Sequence, residues 1–171
     1  MKIIEALKHV KDLQRKADDI KDKIRKYCAD LDCETPVYTD QRKQISEWLQ
    51  SHTDIIKEIG RLRYCIQKTN VLTEVTIELG GKQVTKSITE WINRRKDLSQ
   101  CDLNAYAALT DRGLKETASY QLTPGSPANV VKRRLYFDPV ERDNKIELYR
   151  SEPSKIDSTL EIVNAVTNLI E

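Results

Sequence analysis

The sequence predicts a mainly α-helical fold: a long antiparallel helical hairpin plus two further helices, with a small β-hairpin inserted, assembled as an oligomeric helical bundle. Apolar residues recur every three or four positions over long segments, which is the spacing of one face of a helix. The 171 residues include 33% charged residues, 5 glycines and 5 prolines, a balance typical of long helices with narrow apolar stripes. This length corresponds to one domain, so residues 1–171 are expected to fold as a single α-helical domain.

Two long amphipathic segments predict the helical hairpin. The first helix is predicted at about 2–31 and the second at about 39–70, with Thr39 as the N-cap of the second. Pro36 separates them, because proline disfavours helical geometry in the residue before it. The apolar stripe of the second helix contains Ile45, Trp48, His52, Ile55, Ile59, Leu62, Ile66 and Thr69. These helices are longer than a compact domain of this size needs, so part of their seam is expected to meet another subunit.

A change from helical to alternating apolar spacing predicts a β-hairpin at about 74–86. Three apolar residues alternate with polar ones before Gly80 and Gly81, and glycine tolerates the positive φ of tight turns. A later run at about 129–136 is rich in β-branched and aromatic residues. It predicts a strand that can add to the hairpin as a third strand.

A capping pattern predicts the start of the third helix. Ser87 and Glu90 form the S-x-x-E capping box, which predicts a helix at about 87–112 that ends before Gly113. The segment at about 114–128 contains the sequence Pro-Gly-Ser-Pro and no sustained apolar period, so it is expected to be a long exposed loop. Loops of this length within a compact domain are either functional or mobile.

The fourth helix is predicted at about 138–165, with Asp138 as its N-cap and Pro139 in its first turn. Pro153 lies within the apolar stripe of this helix. Because proline removes a helical hydrogen bond, Pro153 is expected to kink the helix or to restart it with Ser151 as a cap.

Charge and hydropathy limit the partners. The formal net charge of +2 is too small to predict a surface for a nucleic acid polymer or a membrane. No run of about 18 apolar residues is present and the N-terminal segment is charged throughout, so a cytoplasmic protein is expected. The four cysteines have no C-x-x-C spacing and are expected to be free, mostly buried thiols, with no metal site.

The motifs of common enzyme classes are absent from the sequence. It contains no G-x-S-x-G, P-loop, dinucleotide fingerprint or H-E-x-x-H pattern. Its two histidines and the lack of clustered acids at helical spacing leave little material for a hydrolytic triad or a dimetal site. We therefore expect a protein that is not an enzyme and has no cofactor.

Polar and basic residues around the predicted hairpin are candidates for ligand binding. They are Arg61, Asn70, Thr73, Arg94, Arg95, Arg133, Arg134 and Tyr136. Guanidinium groups bind phosphate through paired hydrogen bonds, and an aromatic face stacks on a ring. Asn70, Thr73 and Arg95 are expected to converge on one cavity. The alternative is that Asn70 and Thr73 cap the helix end while the arginines pair with exposed glutamates.

Several segments together carry a family resemblance. They are MKIIEAL at the N-terminus, IQKTNVLTEV, SITEWINRRKDL, and the stretch from FDPVERDNKIELYR to STLEIVNAVTNLIE. These segments resemble the septicolysin-like family of small, largely uncharacterised bacterial and phage proteins. The resemblance implies a mainly helical fold with a small β element and a tendency to oligomerise. It also implies a polar signature at Asn70, Thr73, Arg95, Asn164 and Thr167.

Three hypotheses of function remain open. The first is a non-catalytic homo-oligomer that captures a small phosphorylated, nucleotide-like ligand, as a sequestering sponge for an immune signalling nucleotide does. The second is a structural or protein-interaction module assembled through its helical seams, for which Ile59→Asp is expected to break the oligomer. The third is an uncharacterised nucleotide-processing enzyme, which would need a metal or phosphoesterase site.

Overall fold

The protein is mainly helical, as the sequence predicts, in a computed structural model that describes residues 1–115, 117–118 and 130–171. The elements in chain order are α1 (Ile3–Tyr27), α2 (Gln41–Leu72), β1 (Glu74–Leu79), β2 (Lys82–Ser87), α3 (Ile88–Asn93), a π-helical segment (Arg94–Leu98), α4 (Ser99–Ala107), β3 (Thr117–Ala118), β4 (Val130–Val131) and α5 (Pro139–Val166). Because α3, the π-helical segment and α4 follow without a break, the described residues contain four helices. The chain divides into two compact units.

The first unit contains Met1–Val75, Thr85–Thr89 and Thr159–Glu171. Its core lies between α1 and α2 and consists of Ala6, Val10, Leu13, Ile59, Leu62 and Ile66. Apolar residues on the two predicted stripes therefore face each other, and their removal from water stabilises the helical hairpin. α1 ends at Tyr27, about one turn before the predicted end.

An aromatic cluster lies where the two helices of the hairpin are joined. The ring centroids of Tyr27, Tyr38 and Trp48 lie 5.4 to 5.9 Å apart, and two of the three ring pairs meet edge to face. Asp40, rather than the predicted Thr39, caps α2, because its carboxylate accepts a hydrogen bond of 2.9 Å from the Lys43 N–H.

The residues after α5 are tied to the N-terminus and to α2 within the first unit. The Ile3 N–H donates to the Thr167 carbonyl at 3.1 Å, and the Leu169 N–H donates to the Met1 carbonyl at 2.9 Å. Leu169 packs against the core of the helical hairpin. The Ile170 N–H donates to the hydroxyl of buried Thr69 at 2.8 Å.

The predicted β-hairpin is confirmed, and the predicted third strand is wrong. β1 and β2 pair around Gly80 and Gly81, whose φ values are 58° and 76°. β4, within the predicted strand at 129–136, pairs antiparallel with β3 in a separate two-stranded sheet. The predicted loop at 114–128 supplies that partner strand, and its residues 116 and 119–128 lie outside the described residues, as does residue 129.

The third predicted helix ends earlier than expected, and of the two alternatives predicted at Pro153, a kink or a restart, the restart is wrong. α4 ends at Ala107 instead of near residue 112, and a turn follows. α5 runs from Pro139 to Val166 without a restart, and the Ser151 hydroxyl donates to the Leu148 carbonyl at 3.0 Å instead of capping a new helix. Pro153 removes only one helical hydrogen bond, and the burial of Ile156 in the next turn helps to hold the helix in place.

The cysteines are free, as expected, but they are not mostly buried. Cys65 is buried in α2, whereas Cys28, Cys33 and Cys101 are exposed. None of the helices in the described residues combines the length and the apolar character that crossing a membrane requires.

Candidate ligand-binding site

The predicted site residues fall in both units. Arg61, Asn70 and Thr73 belong to the first unit, whereas the second unit, which contains Thr76–Val84 and Glu90–Ser158, holds the other five. The convergence of Asn70, Thr73 and Arg95 on one cavity stays a prediction. Four of these eight side chains, all of them arginines, have definite partners within their own unit.

Arg61 forms an exposed ion pair on α2. Its Nε and Nη2 atoms donate to the Glu58 carboxylate at 3.0 and 2.8 Å. The hydrogen bond from Arg61 lowers the pKa of Glu58 and, reciprocally, raises the pKa of Arg61. This is the surface pairing that the sequence analysis considers as the alternative to ligand binding.

Thr73 and Asn70 lie at the end of α2. The Thr73 N–H donates to the Thr69 carbonyl at 2.9 Å, and the Thr73 carbonyl accepts from the Ile88 N–H at 3.0 Å, so Thr73 both ends α2 and joins the chain that follows β2. The Oδ1 atom of Asn70 is buried and has no hydrogen-bond partner among the described residues. An unsatisfied buried acceptor costs about 1–3 kcal/mol, which marks Asn70 as unusual.

Arg94 is committed to two carboxylates of the second unit. Its Nε and Nη2 atoms bind both oxygens of Glu152, at 2.7 and 2.9 Å, and Nη1 donates to Asp102 at 2.5 Å. Glu152 is only 3% exposed, and Arg94 also lies 5.3 Å from the ring centroid of Tyr149. The hydrogen bonds to Glu152 raise the pKa of Arg94 despite its partial burial. Arg94 therefore joins α5 to the helix formed by α3, the π-helical segment and α4.

Arg95 follows the same pattern at the surface. Its Nη1 atom donates to Asp157 of α5 at 2.5 Å, and both side chains are exposed. Arg94 and Arg95 occupy the π-helical segment, where the extra residue per turn changes the direction of the side chains that follow. In this structure their guanidinium groups hold α5 and do not form an open anion site.

The remaining three predicted residues come together in one cavity of the second unit. Arg133, Arg134 and Tyr136 line a cavity of about 270 Å³. Its walls come from the segment 108–114, after α4, and from the segment 133–137, before α5. This cavity is the candidate ligand-binding site.

Arg112 and Asp111 belong to the same cavity, and the sequence analysis missed both. Asp111 accepts the Gly113 N–H through Oδ1 at 2.9 Å and the Arg133 guanidinium through Oδ2, so one carboxylate fixes both walls. The sequence signal for both residues is the run Asp-Arg-Gly that follows α4. The sequence analysis uses only its last residue, Gly113, as the residue that ends the helix. A residue between Asp and Gly in a turn lies where side chains commonly project from the surface.

Arg142 of α5 contacts two residues that line the cavity. Its Nη1 atom donates to the Leu109 carbonyl at 3.0 Å, and its guanidinium lies 5.5 Å from the ring centroid of Phe137. Leu109 and Phe137 both line the cavity, one from each wall. A cation at the carbonyl end of α4 is also favoured by the helix dipole.

The electrostatics of the cavity favour an anion. Arg112, Arg133 and Arg134 bring three positive charges, against the single carboxylate of Asp111. Neither Arg112 nor Arg134 forms an ion pair with another described residue. Two guanidinium groups at the cavity are therefore without a counter-charge among the described residues.

The arrangement defines a mainly helical protein with an inserted β-hairpin and an arginine-lined cavity. No protein-family model matches the chain, and no curated protein does. Its fold is similar to that in the crystal structure of a functionally unknown conserved protein from Corynebacterium diphtheriae, with a TM-score of 0.57 and 19% sequence identity over 99% of each chain. At this identity the similarity shows the fold alone. Membership of the septicolysin-like family stays an expectation.

Proposed function

We propose that this protein is a non-catalytic binding protein that captures a small phosphorylated, nucleotide-like ligand in the cavity between segments 108–114 and 133–137. The observation that carries the proposal is the excess of guanidinium groups over carboxylates at this cavity. Guanidinium matches phosphate oxygens with paired, charge-assisted hydrogen bonds, which are about twice as strong as neutral ones.

Tyr136 supports the nucleotide-like part of the ligand. Its side chain lines the cavity and is 89% exposed, so most of the ring is available for stacking on a planar base. Stacking of a base on an aromatic side chain contributes about 1–3 kcal/mol and tolerates different bases. Asp111, the one carboxylate among the described lining residues, already accepts hydrogen bonds from Arg133 and from the Gly113 N–H, which favours capture over turnover. A cytoplasmic homo-oligomer that sequesters a signalling nucleotide is a role that fits such capture.

Isothermal titration calorimetry of the purified protein with nucleoside monophosphates and cyclic nucleotides tests this proposal. We expect binding by the wild type and a loss of about tenfold or more in affinity for Arg134→Gln, because one charged hydrogen-bonding partner of the phosphate is removed. Arg150→Gln is the matched control, since this exposed arginine of α5 does not line the cavity. No heat with any nucleotide, together with an unchanged melting temperature, contradicts the proposal.

A second candidate function is an interaction module that assembles through α2. One observation favours it: a row of large apolar side chains on α2 is exposed to solvent, namely Leu49, Ile56, Tyr64 and Val71. Apolar residues in a row along a long helix are typical of a seam with another helix. The two functions are compatible, because the cavity and this row lie in different units.

A further inference from the structure

Arg112 has a backbone conformation that its side chain disfavours. Its φ is 58° and that of Gly113 is 65°. The Leu114 N–H donates to the Asp111 carbonyl at 3.1 Å, which closes a four-residue turn with positive φ at both central residues. Turns of this kind, type I′, strongly favour Asn, Asp or Gly at the first central position, because a larger side chain on Cβ crowds the backbone there. Arginine is an unfavourable residue at that position.

Two hydrogen bonds from side chains hold the turn in place. The Thr110 hydroxyl accepts the Arg112 N–H at 3.2 Å, and Asp111 Oδ1 accepts the Gly113 N–H at 2.9 Å. Residues in disfavoured backbone regions persist only where their surroundings fix them, and they concentrate at functional sites. Residues whose type conflicts with the local backbone conformation are likewise found mainly at functional sites.

We propose that Arg112 is an anion-binding residue of the cavity and that, with Arg134, it selects the dianion of a phosphate monoester. This inference rests on the proposed function and specifies its ligand class. Arg133 is already paired with Asp111, so Arg112 and Arg134 supply the two positive charges that have no ion-pair partner among the described residues. A phosphate monoester carries close to two negative charges at pH 7, whereas a cyclic phosphodiester carries one. The two negative charges of the dianion therefore balance the two positive charges of Arg112 and Arg134.

The size of the cavity supports the same class. Its volume of about 270 Å³ lies just below the range of roughly 300–1,000 Å³ found for small-molecule sites. A single mononucleotide is therefore favoured over a dinucleotide.

Calorimetry with 5′-AMP, cyclic AMP and adenosine tests the inference. For the wild type we expect 5′-AMP to bind about tenfold more tightly than cyclic AMP, with adenosine weakest. The affinity for 5′-AMP should fall as the pH drops below about 6, because the phosphate dianion takes up a proton there and becomes a monoanion, while the affinity for cyclic AMP should not change. Equal affinity for 5′-AMP and cyclic AMP overturns the choice of a dianion.

Arg112→Asn separates binding from folding. Asparagine tolerates positive φ, so the variant should melt about 2–4 °C higher than the wild type while its affinity for 5′-AMP falls about tenfold or more. Arg112→Gly is the second variant and should show the same loss of affinity. Arg150→Asn is the control and should leave binding unchanged. If the wild type binds none of the three compounds, both the proposed function and this inference are wrong. If the wild type binds and both Arg112 variants bind equally well, only the role of Arg112 is overturned.

Discussion

Thr69 connects α2 to the C-terminal segment through one of the two hydrogen bonds of its hydroxyl. It is 0% exposed, its hydroxyl donates to the Cys65 carbonyl at 2.7 Å, and it accepts the Ile170 N–H at 2.8 Å. Threonine in a helix commonly bonds the carbonyl four residues before it, but the second hydrogen bond joins residues that are far apart in the sequence.

Thr69→Val should destabilise the protein because it leaves the Ile170 N–H without its acceptor while keeping the shape of the side chain. We expect the free energy of unfolding to fall by about 1–3 kcal/mol, as measured by urea denaturation. Thr53→Val is the control, since the hydroxyl of exposed Thr53 bonds, among the described residues, only within its own helix, to the Leu49 carbonyl at 3.0 Å. Equal stability of the two variants would show that the bond to Ile170 contributes nothing.

Single residues also show where sequence reasoning is limited. The burial of Thr69 follows from its place on the predicted apolar stripe, but its partner Ile170 does not, because helical periodicity carries no information on contacts between distant segments. The same limit applies to Arg94, whose partner Glu152 lies 58 residues away. The periodicity places Arg94 at a polar position of its helix, and only the folded structure shows that it pairs with the Glu152 carboxylate.

Among the elements, the helical hairpin was the most predictable. The three-four spacing of apolar residues identified α1 and α2 and, on α2, the core residues Ile59, Leu62 and Ile66, because burial of one face is what forms such helices. The end of α4, the π-helical segment and the pairing of β4 with β3 were not predicted. Each depends on contacts between segments rather than on local preference.

Ile59→Asp should unfold the helical hairpin rather than only break an oligomer. Ile59 is buried in the core between α1 and α2, so an aspartate there places an unpaired charge among apolar side chains. We expect a loss of more than about 4 kcal/mol in the free energy of unfolding, detected by urea denaturation and circular dichroism. Leu7→Asp on α1 is the control, because Leu7 is 41% exposed and lies outside both the core and the exposed apolar row of α2, so its substitution should cost little. Comparable losses for both variants would contradict this assignment of the core.

At the scale of the whole molecule, the exposed apolar row of α2 is suited to contact with a second copy of the chain. Leu49, Ile56, Tyr64 and Val71 are spaced symmetrically about Gly60, at offsets of eleven and four residues on each side. A Cβ atom added at Gly60 would meet no heavy atom within 4 Å among the described residues, so packing within the chain does not require glycine there. Glycine inside a helix costs about 1 kcal/mol relative to alanine, whereas its small size allows a second helix to approach closely. A row symmetric about such a point suits an antiparallel contact with the same helix of a second copy.

Substitution of Gly60 should therefore have opposite effects on folding and on assembly. Gly60→Ala is expected to raise the free energy of unfolding of the protomer by about 0.5–1 kcal/mol. Gly60→Leu is expected to shift the protein toward monomer in sedimentation equilibrium at micromolar concentration, because the added side chain separates the two helices. Ser51→Leu is the control, since Ser51 lines a different groove of the helical hairpin from Gly60. A wild type that stays monomeric over the whole concentration range, or a Gly60→Leu variant that associates as strongly as the wild type, removes this face as the site of assembly and leaves the cavity of the second unit as the basis for function.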